Sequence, residues 1–244
     1  MTPRLISLPV SPYVELARWT LDRAGVAYEE EHHAPVFHVL ATRRAGGTGV
    51  VPVLDLGDES LTDARQVVQR YDPLPDEEGR RVFDDVFDVL GVAVRAWAYA
   101  YMLPHRRATA RAWVHGVPAL QRRLVPVLYP LLAWLVRRDL GLKPGSVPEQ
   151  RAIVDAALAR LEERLADGRR RLLGDATTAA DVALASLLAP AVLPPEYRGP
   201  LPALDEVPEA MRRDIEGFRE HPVGRYALRL YAEERDAPPP MLRG

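Results

Sequence analysis

The 244-residue sequence contains no cysteine. That excludes disulfides, thiolate metal sites and a thiol nucleophile carried by the chain itself, and it is compatible with a reducing cytoplasm. Lysine is nearly absent too. Lys143 is the single lysine among 32 basic residues, a compositional bias and not a functional signal. No sign of charge is in excess: 34 acidic residues face 32 basic ones, for a formal net charge of −2. Nothing in that balance attracts nucleic acid or anionic lipid as a whole. Long apolar runs are also missing. The two longest, 124–136 and 182–193, fall short of the roughly 20 residues that span a bilayer. The N-terminus lacks the apolar run and cleavage site of a signal peptide. The expectation is a soluble, cytoplasmic protein without a membrane or nucleic-acid partner. At 48% apolar residues, the chain can bury one large core or two smaller ones.

What is present falls into two halves. Residues 4–8 (RLISL) form a short apolar run ending at Pro9, as a buried strand does. Ser11 followed by Pro12 reads as a helix N-cap with proline at the first helical position. Val14, Ala17, Leu21 and Ala24 follow at helical spacing, and Gly25 is the stop. Residues 26–31 (VAYEEE) predict a second strand, 32–49 contain helical and loop material broken at GGTG, and 50–56 (VVPVLDL) predict a third strand. A Gly57-Asp58 turn, a short strand at 59–61 and a helix at 62–71 complete a β-α-β-α-β-β-α order, a mixed sheet covered by helices. Residues 73–79 (PLPDEEG) read as a linker. Beyond it only helices are legible, at about 76–103, 105–116, 118–138, 148–167, 178–189, 207–220 and 222–235. Pro118, Pro126 and Pro130 are expected to break or kink the third of these. The end, 236–244 (DAPPPMLRG), has the composition of a disordered tail.

Three motifs, spread over most of the chain, carry a resemblance to the cytosolic glutathione transferase family in its serine-type form, as a bacterial member. SPYVELARWTLDRAGVAYEEE (11–31) resembles the family's Ser-Pro-aromatic start, a helix with an internal arginine (Arg18) and a Tyr-Glu strand. VVPVLDLGDESLTDARQVVQRY (50–71) is similar to its "VPVL, turn, LT-E-S-R" block, and LLGDATTAADVALASLL (172–188) to its Gly-Asp, Ser/Thr-x-x-Asp block. In this order the motifs are specific for the fold and less so for the reaction. The resemblance implies a thioredoxin-like α/β N-terminal domain (1–72), a linker (73–79) and an all-helical C-terminal domain (80–235), usually as a homodimer.

It also implies glutathione as co-substrate, a small hydrophobic electrophile as second substrate, and no metal. Ser11 would stabilise the glutathione thiolate, with Tyr13 as substitute donor. Val51 and Pro52, joined by a cis peptide, would pair with glutathione's extended backbone; read without the family, Pro52 is an ordinary edge-strand or turn proline. Asp63 would face the γ-glutamyl ammonium, or be only a helix-start residue. Ala64 stands where the family usually has a serine, and its hydroxyl loss removes a bond to the α-carboxylate, although the backbone amide could still make one. Val50 stands where a lysine is frequent. His33, His38, Arg43 and Arg44 are candidates for the glycyl carboxylate. A metal site at His32, His33 and His38 is not expected, because no two fall on one helix face at i, i+4. Trp97, Tyr101 and Trp113 are candidates for the electrophile pocket, although core or interface packing is the expected role of any single one of them. His105 and His115 read as surface or packing residues. Thr178-Ala179-Ala180-Asp181 reads as a capping box worth roughly 1 kcal/mol.

Two alternatives stay open at this level. The chain could be a non-catalytic binding or regulatory protein of the same fold, which Ala64 and Val50 favour, or an enzyme using another low-molecular-weight thiol. Conjugation is also not separable here from isomerase, peroxidase or lyase chemistry.

Overall fold

The computed structural model describes residues 2–236. The expected disordered tail falls, apart from Asp236, outside the described residues. The element order in the first half is β1 (Arg4–Ser7), α1 (Pro12–Arg23), β2 (Glu29–His32), α2 (Phe37–Arg44), β3 (Val53–Asp55), β4 (Ser60–Leu61) and α3 (Ala64–Tyr71), which is the β-α-β-α-β-β-α order read from the sequence. The sheet runs β2-β1-β3-β4, with β1 parallel to β2 and antiparallel to β3, and β3 antiparallel to β4. Among the described residues helices follow, with one isolated β-bridge between Arg171 and Gly174. α4 (Glu77–Asp84) continues through a π-helical turn (Asp85–Leu90) into α5 (Gly91–Met102). After it come α6 (Arg106–Trp113), α7 (Ala119–Asp139), α8 (Ser146–Leu165), α9 (Ala179–Val192), α10 (Glu209–Glu220) and α11 (Pro222–Glu234). Among the described residues no helix is long and apolar enough to cross a membrane.

α1 joins the two halves because it is apolar on both sides. Val14, Ala17 and Leu21 share one face and pack with Leu5 and Leu54 of the sheet and Val67 of α3. Tyr13, Leu16 and Trp19 face the other way, into the core of the helical half. There α1 meets α9, whose 14 residues are all buried and, apart from Asp181 and Ser186, all apolar. The charged residues buried on α1, Glu15 and Arg18, are both paired. Arg18 donates to Glu30 at 2.6 Å, and Arg235, just beyond α11, donates to Glu15 at 2.7 Å and Asp22 at 2.8 Å.

Several sequence expectations are corrected. The second strand is Glu29–His32, not 26–31. The third is only Val53–Asp55, because cis-Pro52 precedes it and has no N–H for the ladder. Pro126 and Pro130 lie inside α7, which runs through both without interruption; only Pro118 marks a boundary, as its N-cap. Pro130 cannot donate to the Pro126 carbonyl four residues back, and the Arg106 guanidinium donates to that carbonyl instead. Gly25 does stop α1, with φ at 66°.

Candidate functional site

The site begins where β1 ends. The chain turns through Leu8–Val10, the Ser11 amide donates to the Leu8 carbonyl at 2.9 Å, and Pro12 opens α1. Ser11 occupies the N-cap position in an extended conformation, yet its side chain makes no capping hydrogen bond. The expectation of a side-chain cap is thus corrected. Proline at the first helical position removes one orphan N–H, and the Ser11 carbonyl accepts the first helical bond from Glu15. The hydroxyl stays uncommitted. Ser11 as a residue is only 8% exposed and lines a cavity of about 640 Å³.

The turn that presents Ser11 is held from two sides. Arg18 places two N–H groups on the Pro9 carbonyl, each at 3.3 Å. Tyr197, from the loop after α9, donates to the Val10 carbonyl at 3.0 Å. Gly199 lies so close to the Pro9 carbonyl that any side chain there would collide with it. Burial raises the Tyr197 phenol well above its ordinary pKa, so it remains a donor at every physiological pH.

From the sheet half, the same cavity is lined by Val50, Val51 and His38. The Val51-Pro52 peptide is cis. Because β3 starts at Val53, the Val51 backbone lies outside the ladder. Val50 is 54% exposed at the rim. Val36 lines the cavity at φ 73°, a left-handed backbone that a β-branched residue seldom adopts. The Nδ1 of His38 is buried and has no partner among the described residues, and burial lowers the His38 pKa, so the ring is neutral near pH 7. The opposite wall comes from the helical half: Arg95, Tyr99 and Met102 of α5, Trp113 of α6, Val136 of α7.

The structure gathers some of the sequence candidates here and disperses others. Ser11, His38, Val51 and Trp113 share the cavity. Tyr13 points away, into the helical core, where its hydroxyl donates to the Phe87 carbonyl at 2.9 Å and its ring meets Phe87 edge-on. Burial pushes its phenol up to about 12. Trp97 and Tyr101 sit on the far face of α5, both donating to Asp214. Residues 95, 98, 99 and 102 face the cavity while 97 and 101 do not, as helical spacing requires. His33 and Arg44 line a separate, smaller cleft of about 280 Å³, where His33 contacts Glu31 at 2.7 Å and Gln121 at 2.8 Å. Arg43 is exposed. His32 is paired with Ser7 at 2.9 Å and packs on Gly116. Asp63 is the N-cap of α3 and accepts from the Gln66 amide at 2.8 Å, while Ala64 is buried in the core. His105 stands at the N-cap of α6 without a capping bond.

Sequence reasoning missed Arg95, Tyr99, Met102 and Tyr197. The first three had a usable signal, the i, i+4, i+7 face of α5 (Arg95, Tyr99, Met102). For Tyr197 there was none, since its partner lies 187 residues away.

Comparison with known proteins agrees with this architecture. A model described as glutathione S-transferase, N-terminal domain, matches residues 5–79, and one described as glutathione S-transferase, C-terminal domain, matches residues 144–213. No curated protein matches the chain. Among solved structures, a glutathione transferase of Phanerochaete chrysosporium is similar at 15% identity and a TM-score of 0.61, with 95% of this chain and 96% of that one covered. A glutathione S-transferase of Methylobacterium radiotolerans, in complex with glutathione sulfonate, is 20% identical with a TM-score of 0.59, covering 97% and 94%. A glutathione S-transferase of Ceriporiopsis subvermispora, in complex with glutathione, is 16% identical with a TM-score of 0.62, covering 98% and 100%. The two domain models lie in the expected order, together match more than half of the chain, and fall on the sheet half and on the helical half. The chain belongs to the glutathione S-transferase superfamily.

Proposed function

We propose that this protein is a serine-type glutathione transferase that stabilises the glutathione thiolate for attack on a small hydrophobic electrophile. The observation that carries this reading is Ser11: a buried residue whose hydroxyl has no capping partner, at the N-terminus of a 12-residue helix and lining a large, mostly apolar cavity. Glutathione's thiol, like free cysteine, has a pKa near 8.5, so only a few per cent is ionised at neutral pH. A hydroxyl donor to the sulfur contributes about 1.5–3 kcal/mol and the helix end about 0.3–1, enough to lower that pKa by about 1–3 units. Ser11 neither attacks nor removes a proton in this scheme. It donates to the thiolate, and the sulfur forms the new bond as the leaving group departs with its electron pair.

In the same reading residues 1–72 hold the tripeptide and 80–235 the electrophile. Val51 pairs with the peptide backbone, the Asp63 carboxylate meets the ammonium, the Ala64 amide meets a carboxylate, and the protein works as a cytoplasmic homodimer. Ligands of two of the similar structures, glutathione sulfonate and glutathione, support the choice of thiol.

Tyr13→Phe separates the two candidate donors. It is expected to lose about 1 kcal/mol of stability in a urea melt, for the bond to Phe87, and to change thiol transfer far less than Ser11→Ala. Equal losses of activity would move the donor role to Tyr13. The reading as a whole is tested by thermal melting with millimolar glutathione, where a ligand at 100 times its Kd raises stability by about 2.7 kcal/mol. No shift would reject glutathione. A second reading, a binding or regulatory protein of this fold without transfer activity, is favoured by Ala64 and Val50, which remove contacts to glutathione; it predicts no melting shift with glutathione and no turnover of any electrophile.

A further inference from the structure

Arg95 is the charged group of the cavity that nothing in the thiol reading uses. Its side chain is half-buried, it lines the cavity, and its Nε is buried without a hydrogen-bond partner among the described residues. Buried polar atoms without partners are rare and call for an explanation. Among the described residues Arg95 forms no ion pair, although acids stand nearby. Asp88, seven residues back in the π-helical turn, is held by Arg65 at 2.7 and 2.8 Å. Asp214, across α5, is held by Arg151, Trp97 and Tyr101. What Arg95 touches is the Tyr13 ring, 5.5 Å from its centroid. The other charged residues lining the cavity, Arg138 and Asp139, are exposed neighbours at the end of α7 and cancel in net charge. His38 is neutral. The cavity therefore holds one uncompensated cation among apolar walls from α5, α6 and α7.

We infer that Arg95 binds a carboxylate on the second substrate, so that the electrophile is an apolar molecule carrying an acid group. A guanidinium fork matches a carboxylate in two parallel hydrogen bonds, which suits a planar anion better than a single sulfur atom. Arg95 shares its helix face with Ala98, Tyr99 and Met102, which line the helical half of the cavity, so a molecule seated on that half is the one it meets. The electrophile part rests on the glutathione reading; the anion-binding part does not.

Two measurements test it. Isothermal titration without any thiol compares para-butylbenzoate with para-butylbenzamide. The acid is expected to bind about tenfold more tightly, which is about 1.4 kcal/mol. In Arg95→Met the ratio falls to about one, in Arg95→Lys it is intermediate, and in Arg138→Met it is kept. The second arm supplies glutathione with para-(bromomethyl)benzoate or its methyl ester. There the thiolate forms the C–S bond at the benzylic carbon while the C–Br bond breaks and bromide leaves with the electron pair. A similar preference for the acid in kcat/KM is expected, and it is lost in Arg95→Met. No preference in the native protein, a ratio that survives Arg95→Met, or a ratio abolished by Arg138→Met would overturn the inference. So would a raised thiol pKa in Arg95→Met with the ratio intact, which would put the guanidinium on the sulfur. Absence of a glutathione melting shift rejects the thiol reading separately, and the titration still decides the anion site.

Discussion

Ser11→Ala is expected to lower glutathione-transfer kcat/KM by about tenfold to a hundredfold while leaving the fold nearly untouched. The loss is that of one hydrogen bond to a charged acceptor, about 1.5–3 kcal/mol. The same energy appears in the ground state as a rise of about 1–2 units in the pKa of the bound thiol, readable from the pH dependence of thiolate absorbance. Stability is expected to change by no more than about 0.5 kcal/mol, because the Ser11 side chain makes no capping bond that alanine could lose. This separates it from an ordinary N-cap, where the same substitution costs about 1 kcal/mol. The turn that carries residue 11 survives the change, since it is held through the Pro9 and Val10 carbonyls by Arg18 and Tyr197. Unchanged activity and unchanged thiol pKa would remove Ser11 from the mechanism.

The parts of this site that could be read from the sequence are those whose chemistry is local. Ser11-Pro12 marks a helix start in any context, Gly25 a helix stop, and Val51-Pro52 a strand entrance that ladder hydrogen bonding disfavours. Even there the local rule went too far: it supplied Ser11 with a capping bond that the structure lacks. The α7 prolines failed for the same kind of reason in reverse. Proline removes a helical bond, but the breaking of the helix depends on whether the freed carbonyl finds another donor, and Arg106 comes from a different helix. Residue type points to Trp97 over Arg95 and cannot separate Tyr101 from Tyr99. The sequence gives the helical phase of α5 but not which phase faces the sheet half, because α5 is apolar on most of its circumference and packs against α8, α9 and α1. Arg95 has no partner to announce it, and Tyr197 acts on a carbonyl, which every residue carries.

The largest effect on stability is expected at Asp181, where Asp181→Ala should cost about 3–5 kcal/mol. As the last residue of a capping box it would be worth only about 1 kcal/mol. The structure gives it more to do. Its carboxylate is completely buried and accepts four hydrogen bonds: from the Thr178 amide at 2.8 Å, the Thr178 hydroxyl at 3.0 Å, the Leu172 amide at 2.8 Å and the Tyr226 hydroxyl. One side chain thus closes the start of α9, ties down the 171–174 turn and anchors α11. Alanine would leave two amides and a phenol without their acceptor, and each donor so stranded in the interior costs about 1–3 kcal/mol. Relaxation of the turn recovers part of that sum, which is why the expected total is below it. Asp181→Asn keeps the shape but turns an NH₂ toward donors, so it should fall between alanine and the native protein. Tyr226→Phe, removing one donor and stranding no backbone group, should cost less than either. The order is read from urea unfolding followed by tryptophan fluorescence, since Trp19 and Trp97 lie buried in the core that α9 completes. Because α9 is the helix on which α1 packs, the variant should lose thiol transfer only as it unfolds, with native activity per folded molecule. An Asp181→Ala cost of about 1 kcal/mol or less would reduce Asp181 to a helix cap.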